Sequence, residues 1–294
     1  MSAYRFCRTD DITLLVDALN RCWAPYVPDE PPMTPAAFKR SIRDLQVWCS
    51  SCMVAFSGSD PIGVLIGAKR PTGTLVHTIA VHPDHRRQGH GRHLLTSLAS
   101  KLAILGPPRL VAEIPEPRAD ARGLFRATGY VEEACLTDYV LEQEEHDARE
   151  MTLDGASRRG FVIPVTVDDL AANGLLGEDD PSVCWERSVE TLTARKGDIA
   201  GLAVASDERI EAYVLYLTTD AGSADIVALR SLVEDGGVLL TQLLAQLGTR
   251  GVRTVRFPKV HPAEIATEFL ATLGFRPAGG HLLYAARAGG ADAR

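Results

Sequence analysis

VHTIAVHPDHRRQGHGRHLLTSL, residues 76–98, is the stretch on which the reading of the chain turns. Leu75, Val76, Ile79 and Val81 are mostly β-branched and read as a strand, closed by Pro83, which cannot donate to a ladder. Leu94, Leu95, Leu98 and Leu102 fall on one face at helical spacing and read as an amphipathic helix. Between them stands Arg86-Arg87-Gln88-Gly89-His90-Gly91. Glycines at a helix mouth let backbone N–H groups close on an anion, and the helix dipole and arginines add positive potential. The segment reads as a phosphate cradle, with a bare glycine turn as the bland alternative. It is no P-loop, because no Gly-Lys-Ser/Thr follows. The three-glycine dinucleotide spacing is absent too, and Pro83 parts strand from loop.

Upstream, residues 4–8 read as a first strand, and Asp10-Asp11 before ITLLVDALNRCW as a capped helix. Pro25, Pro28, Pro31, Pro32 and Pro35 mark an irregular passage before a helix over 36–45. Residues 52–57 and 61–67 form a strand pair turning at 58–60. Downstream come a strand at 109–114, a helix at 119–128, a Gly129-Tyr130 turn and a last strand at 137–142. Residues 145–160 are polar, without apolar periodicity, and read as a linker.

The chain then repeats itself. Leu94, Leu95, Leu98 and Leu102 match Leu239, Leu240, Leu243 and Leu247, Gly129-Tyr130 matches Gly274-Phe275, and Tyr139 matches Tyr284, all 145 apart. Upstream the register shifts to 147, pairing Ile79 with Ile226, so the second loop reads as two residues shorter. One offset held across several elements indicates duplication, with domains at 1–144 and 161–294. In the second loop, Glu234 and Asp235 fall where Gly89 and His90 stand, and carboxylates repel a pyrophosphate. The second copy is expected to have lost the ligand. By the same comparison the fold does not demand Arg86, Gly89 and Gly91, so a ligand explains them.

With 294 residues, 46% of them hydrophobic, there is material for two cores. No run reaches the length of a membrane span, and Asp10 and Asp11 interrupt the start, so a cytoplasmic protein without a membrane partner is expected. Of 31 Lys+Arg and 38 Asp+Glu, 16 of each fall in residues 1–144, so the remainder carries the whole net charge of −7. That balance disfavours nucleic acid. The six cysteines include one C-x-x-C, Cys49 and Cys52, with no second pair or histidine at zinc spacing. Reduced, packed thiols and no metal are expected.

The pattern V-x-P-x-x-R-x-x-G-x-G, here Val81, Pro83, Arg86, Gly89 and Gly91, resembles the pyrophosphate-binding motif of the GNAT superfamily of acyl-CoA-dependent N-acyltransferases. The resemblance implies an α/β fold with a mixed sheet whose fourth and fifth strands splay apart to admit the pantetheine arm, here in two tandem copies. It implies acetyl-CoA as donor, held by Ile79, Ala80 and Val81 on the strand and by Arg86, Arg87, Gln88, Gly89, His90, Gly91 and Arg92 in the loop. Arg118 stands where the family has a CoA-contacting Asn, and a guanidinium can still meet a phosphate. His93 borders the loop, whereas His82 and His85 read as solvated surface. The reaction implied is direct attack of an amine, expected to be a small molecule, on the thioester. The family's Glu four residues before the Val is replaced by His77, whose ordinary pKa near 6.5 suits a base. Glu113 matches an acidic position on the next strand and is read as a second base or as the group orienting His77. Phe125 stands where the family has a Tyr acid, leaving solvent, the departing ammonium, Tyr130 or Tyr139 as proton sources. These departures keep a non-catalytic acyl-CoA-binding protein as the alternative. The acceptor side is expected around Trp23 to Leu45, with the second copy covering it, in a monomer or homodimer.

Overall fold

The computed structural model describes residues 2–143, 160–176, 182–220 and 222–289. Apart from Gly160, the linker expected at 145–160 lies outside the described residues. In order come β1 (Ser2–Phe6), α1 (Ile12–Cys22), α2 (Pro35–Leu45), β2 (Met53–Ser57), β3 (Asp60–Lys69), β4 (Thr74–Val81), α3 (His90–Leu105), β5 (Arg109–Pro115), α4 (Ala119–Arg126) and β6 (Val131–Glu142). Then follow β7 (Phe161–Pro164), α5 (Val167–Ala172), α6 (Val189–Ala194), β8 (Ala200–Ala205), β9 (Ile210–Thr218), β10 (Ser223–Ser231), α7 (Val238–Thr249), β11 (Thr254–Val260), α8 (Thr267–Thr272) and β12 (Arg276–Arg287). The series from β4 to β6 recurs from β10 to β12. β5 and β11, and likewise β6 and β12, begin and end 145 residues apart. Among the described residues no helix is long and apolar enough to cross a membrane.

The chain divides into two compact units, and the division corrects the linear one expected at 1–144 and 161–294. The first unit holds the chain up to Ala134 and again from Leu282 onward; the second is Cys135–His281. Its own last strand therefore does not complete the first unit. Strands β1 to β5 run in sequence order, and the end of β12 follows β5. In the second unit β6 borders β11, pairing antiparallel from Thr254↔Glu142 to Val260↔Thr137. Tyr284 and Leu282 are buried in the core of the first unit with Leu94, Leu95, Leu98 and Phe125, and Tyr139 in that of the second with Leu239, Leu240 and Leu243. The matched tyrosines have changed places.

Two features of β4 position the site. It pairs with β3 along its length, but with β5 only at Thr74↔Leu110 and Leu75↔Val111. Beyond Leu75 the two parallel strands part, as the resemblance implies. The β3 ladder also skips a residue, passing from Gly67↔Val76 to Ile66↔Thr78. His77 is that extra residue, a β-bulge. The bulge resets the alternation of faces, which is why Val76 and Ile79, three apart, both pack on the core of α3. In the second copy the skipped residue is Val227, and Ile226 and Leu229 share the core with α7. Bulge and core therefore agree that Ile79 corresponds to Leu229, not to Ile226. Since Leu94 still matches Leu239, the second loop is five residues shorter rather than two.

At the N-terminus of α1 the expected cap is absent. Asp11 makes no side-chain cap; its carboxylate instead receives two 2.9 Å bonds from Arg5 and one of 2.7 Å from the Arg8 backbone.

Candidate functional site

From the unpaired end of β4 the chain runs through residues 82–89 into the N-terminus of α3. The first intrahelical bond of α3 is His93 N–H to the Gly89 carbonyl at 3.0 Å, so the amides of His90, Gly91 and Arg92 have no acceptor within the helix. No side chain caps them among the described residues. Gly89 is the N-cap at φ 87°, and a Cβ there would meet nothing within 4 Å. The backbone can thus be approached closely from outside. Arg86, Arg87, Gln88 and Arg92 are exposed around it, and Arg87 takes a left-handed φ of 61°, which costs a non-glycine residue about 1–2 kcal/mol.

Packing also bears on part of this motif, which the sequence comparison left to a ligand alone. A Cβ on Gly91 would lie 3.0 Å from Leu124 Cδ2, so Gly91 lets the start of α3 sit against α4. His90 is buried, with Nδ1 2.7 Å from the Tyr4 hydroxyl. Its Nε2 is buried without a hydrogen-bond partner. Burial, reinforced by His85 and His93, holds its pKa below the ordinary histidine value. The Tyr4 contact engages only Nδ1, so the other ring nitrogen is the one left without a partner.

His77 is exposed on its bulge, and Glu113 is partly buried on β5. Each lies two residues beyond Leu75↔Val111, the last paired position of the two strands. The structure therefore places both at the start of the opening. Ile79 and Val81 follow along the same edge and Ala80 is buried. The tyrosines left open as acids lie elsewhere. Tyr130 is buried edge-on against Phe125 at 4.9 Å, its hydroxyl has no partner, and burial raises its pKa. Tyr139 bonds Thr267 in the second unit at 2.9 Å.

Sequence reasoning missed Tyr26. On a 3₁₀ turn, Ala24–Tyr26, its hydroxyl donates to the Val81 carbonyl at 2.6 Å and accepts from Arg86 Nε at 2.7 Å. The Arg86 guanidinium lies 4.3 Å from the ring centroid and that of Arg118, at the start of α4, 5.4 Å. The one available signal was an aromatic residue between Pro25 and Pro28, in a passage read only as acceptor-side loop.

The corresponding places in the second unit are filled by its own side chains. Asp235 accepts from the Leu239 amide at 2.6 Å and the Gly237 amide at 3.1 Å, so a carboxylate sits on the N-terminus of α7. Burial opposes its ionisation, but these amides and the Ser231 hydroxyl prevail and hold its pKa below the ordinary Asp value. Parallel pairing of β10 and β11 ends at Asp225↔Arg256. Just beyond, buried Arg187 stacks 4.6 Å from the Phe257 ring, makes two 2.6 Å bonds to Glu264 and donates to the Lys259 carbonyl at 3.0 Å. Val227 is the bulge residue there, and Pro258 falls where Glu113 stands.

Among the described residues no group of three or more His, Cys, Asp or Glu stands ready to hold a metal. Cys49 and Cys52 are buried thiols, and burial raises the pKa of both.

A mixed sheet splayed at β4 and β5 and opening onto an uncapped helix N-terminus, with the same order of strands and helices repeated in a second unit, defines the acyl-CoA N-acyltransferase class of fold. Residues 13–130 match the acetyltransferase (GNAT) family. Across its whole length the chain is similar to a tandem GNAT protein from the clavulanic acid biosynthesis pathway, with 18% identity, 99% of this chain and 100% of that one covered, and a TM-score of 0.66. It is likewise similar to a putative acetyltransferase from Pyrococcus horikoshii, at 16% identity, 97% and 89% coverage and a TM-score of 0.62. A GCN5-related N-acetyltransferase from Sphaerobacter thermophilus gives 15%, 97% and 95%, and 0.63. The family match is confined to the first unit, and the chain as a whole has the fold of a tandem two-domain GNAT protein.

Proposed function

We propose that the first unit transfers an acetyl group from acetyl-CoA to the amine of a small molecule, and that the second unit binds no donor. The observation that carries this reading is the contrast between the two helix N-termini. That of α3 presents open amides and exposed arginines, whereas that of α7 already holds the carboxylate of Asp235. A site built for phosphates needs the first arrangement and is neutralised by the second.

Acetyl-CoA, when bound, supplies an activated acyl thioester. Arg86, Arg87, Gln88, Gly89, His90, Gly91, Arg92 and Arg118 would hold its phosphates, and the edge from Ile79 through Ala80 to Val81 its amide arm. His77, at the bulge, takes the proton that the attacking amine sheds, and Glu113 serves as a second carboxylate base or orients the imidazole. The new C–N bond replaces the C–S bond, and the CoA thiol leaves with a proton from solvent or from the departing ammonium. A second reading, acyl-CoA binding without turnover, is favoured by Phe125 in place of the family's tyrosine and by the burial of Tyr130.

Titration calorimetry with acetyl-CoA, followed by thiol release over a panel of small amines, tests both. One site per chain is expected, weakened at least about tenfold in Arg87→Glu, since a phosphate contact and its charge are reversed together. Two equal sites would overturn the reading of the second unit. Binding without thiol release from any amine would establish the second reading.

A further inference from the structure

We propose that Tyr26 is a latch on the donor cleft, its phenol holding the amide-binding edge of β4 closed until an acyl-CoA displaces it. The proposal rests on the donor site assigned above and names how entry to that site is controlled.

The argument starts from the ladder. His82 N–H donates to the Ile62 carbonyl at 2.9 Å, and register runs from Gly63↔Val81 through Val64↔Ala80 to Leu65↔Ile79. In an antiparallel pair alternate residues direct their backbone groups to the partner. His82 and Ala80 therefore face β3, while the N–H and C=O of Val81 and Ile79 point the other way, into the opening left where β4 parts from β5. This is an unpaired strand edge inside the protein, able to bond the amides of an extended arm. Tyr26 reaches it first. Its hydroxyl donates to the Val81 carbonyl at 2.6 Å.

The same phenol restrains the two guanidiniums at that end of the cleft. Arg86 Nε donates to its oxygen at 2.7 Å with the guanidinium 4.3 Å from the ring. Arg118 donates to the Tyr26 carbonyl at 3.4 Å and lies 5.4 Å from the ring. One side chain thus occupies the acceptor the arm needs and engages two cations that phosphates would attract. Its support is slight enough to release: a three-residue 3₁₀ turn closed by Tyr26 N–H to Trp23 and Val27 N–H to Ala24, with Trp23 stacked 6.1 Å away.

The test compares wild type with Tyr26→Phe, which keeps the ring and removes both hydroxyl bonds, in titrations with acetyl-CoA, S-acetylpantetheine and 3′,5′-ADP. Acetyl-CoA and S-acetylpantetheine are expected to bind about 3- to 10-fold more tightly to the variant, the scale of one hydrogen bond no longer broken on entry. Unchanged or weaker binding of these two, or tightening confined to 3′,5′-ADP, overturns the latch while leaving the donor site standing. If neither protein binds any of the three, the donor assignment fails and the latch with it. A second measurement uses wild type alone. Saturating acetyl-CoA is expected to slow amide exchange over 79–92 and speed it at Tyr26 and Val27; slowing at both segments overturns the latch.

Discussion

At the scale of single residues, the site depends on where a strand departs from regularity. His77 was readable as a base candidate from its place four before Val81, but not as the extra residue of a bulge, because the skipped position depends on Ile66 and Gly67 across the ladder. The bulge leaves His77 exposed on a strand whose Val76 and Ile79 stay in the core. For His77→Ala, turnover is expected to fall about 10²–10⁴-fold, the usual range for a lost general base, with acetyl-CoA affinity unchanged in calorimetry. Unchanged turnover across the pH range would remove His77 from the mechanism. The glycines teach a related lesson. Gly89 and Gly91 look like one motif, yet Gly89 answers to a φ of 87° and an open approach, and Gly91 to Leu124 at 3.0 Å.

At the scale of elements, one strand-loop-helix has been put to two uses. The second loop, five residues shorter, brings Asp235 onto the amides of Gly237 and Leu239 and caps α7 from within. Its acidic character was legible in the sequence; that its carboxylate accepts from the amides of the helix was not, because that requires the helix N-terminus in place. Asp235→Ala is expected to lower stability by about 1 kcal/mol, as for other lost caps, without creating a second donor site. The pKa of Asp235 is depressed by folding, so its contribution is complete above the ordinary carboxylate range, near 3.9, and is lost as pH falls through the lower folded value. Denaturant melts of wild type and variant should therefore converge at low pH and differ at neutral pH.

At the scale of the whole molecule, the exchange of last strands makes the copies mutually dependent. Tyr284 is fully buried in the core of the first unit and its hydroxyl donates to Glu132 at 3.0 Å. Tyr284→Ala is expected to cost about 3–5 kcal/mol, the range for truncating a large buried aromatic, and to appear as faster amide exchange in α3 rather than in α7. Cooperative folding and donor binding by residues 1–144 alone would contradict the exchange. The amino-acid sequence by itself determined the duplication, the elements from β4 to β6 and from β10 to β12, and the residue types of the cradle, because periodicity, glycine placement and charge are local properties. Only the tertiary structure decided which strand completes which unit, where the bulges fall, that Tyr26 covers Val81, and that Arg187 and Asp235 fill the second copy. The last strands of the copies share one pattern and one length, so either can satisfy either sheet edge; their partners are set by contacts across more than a hundred residues, which no local pattern encodes.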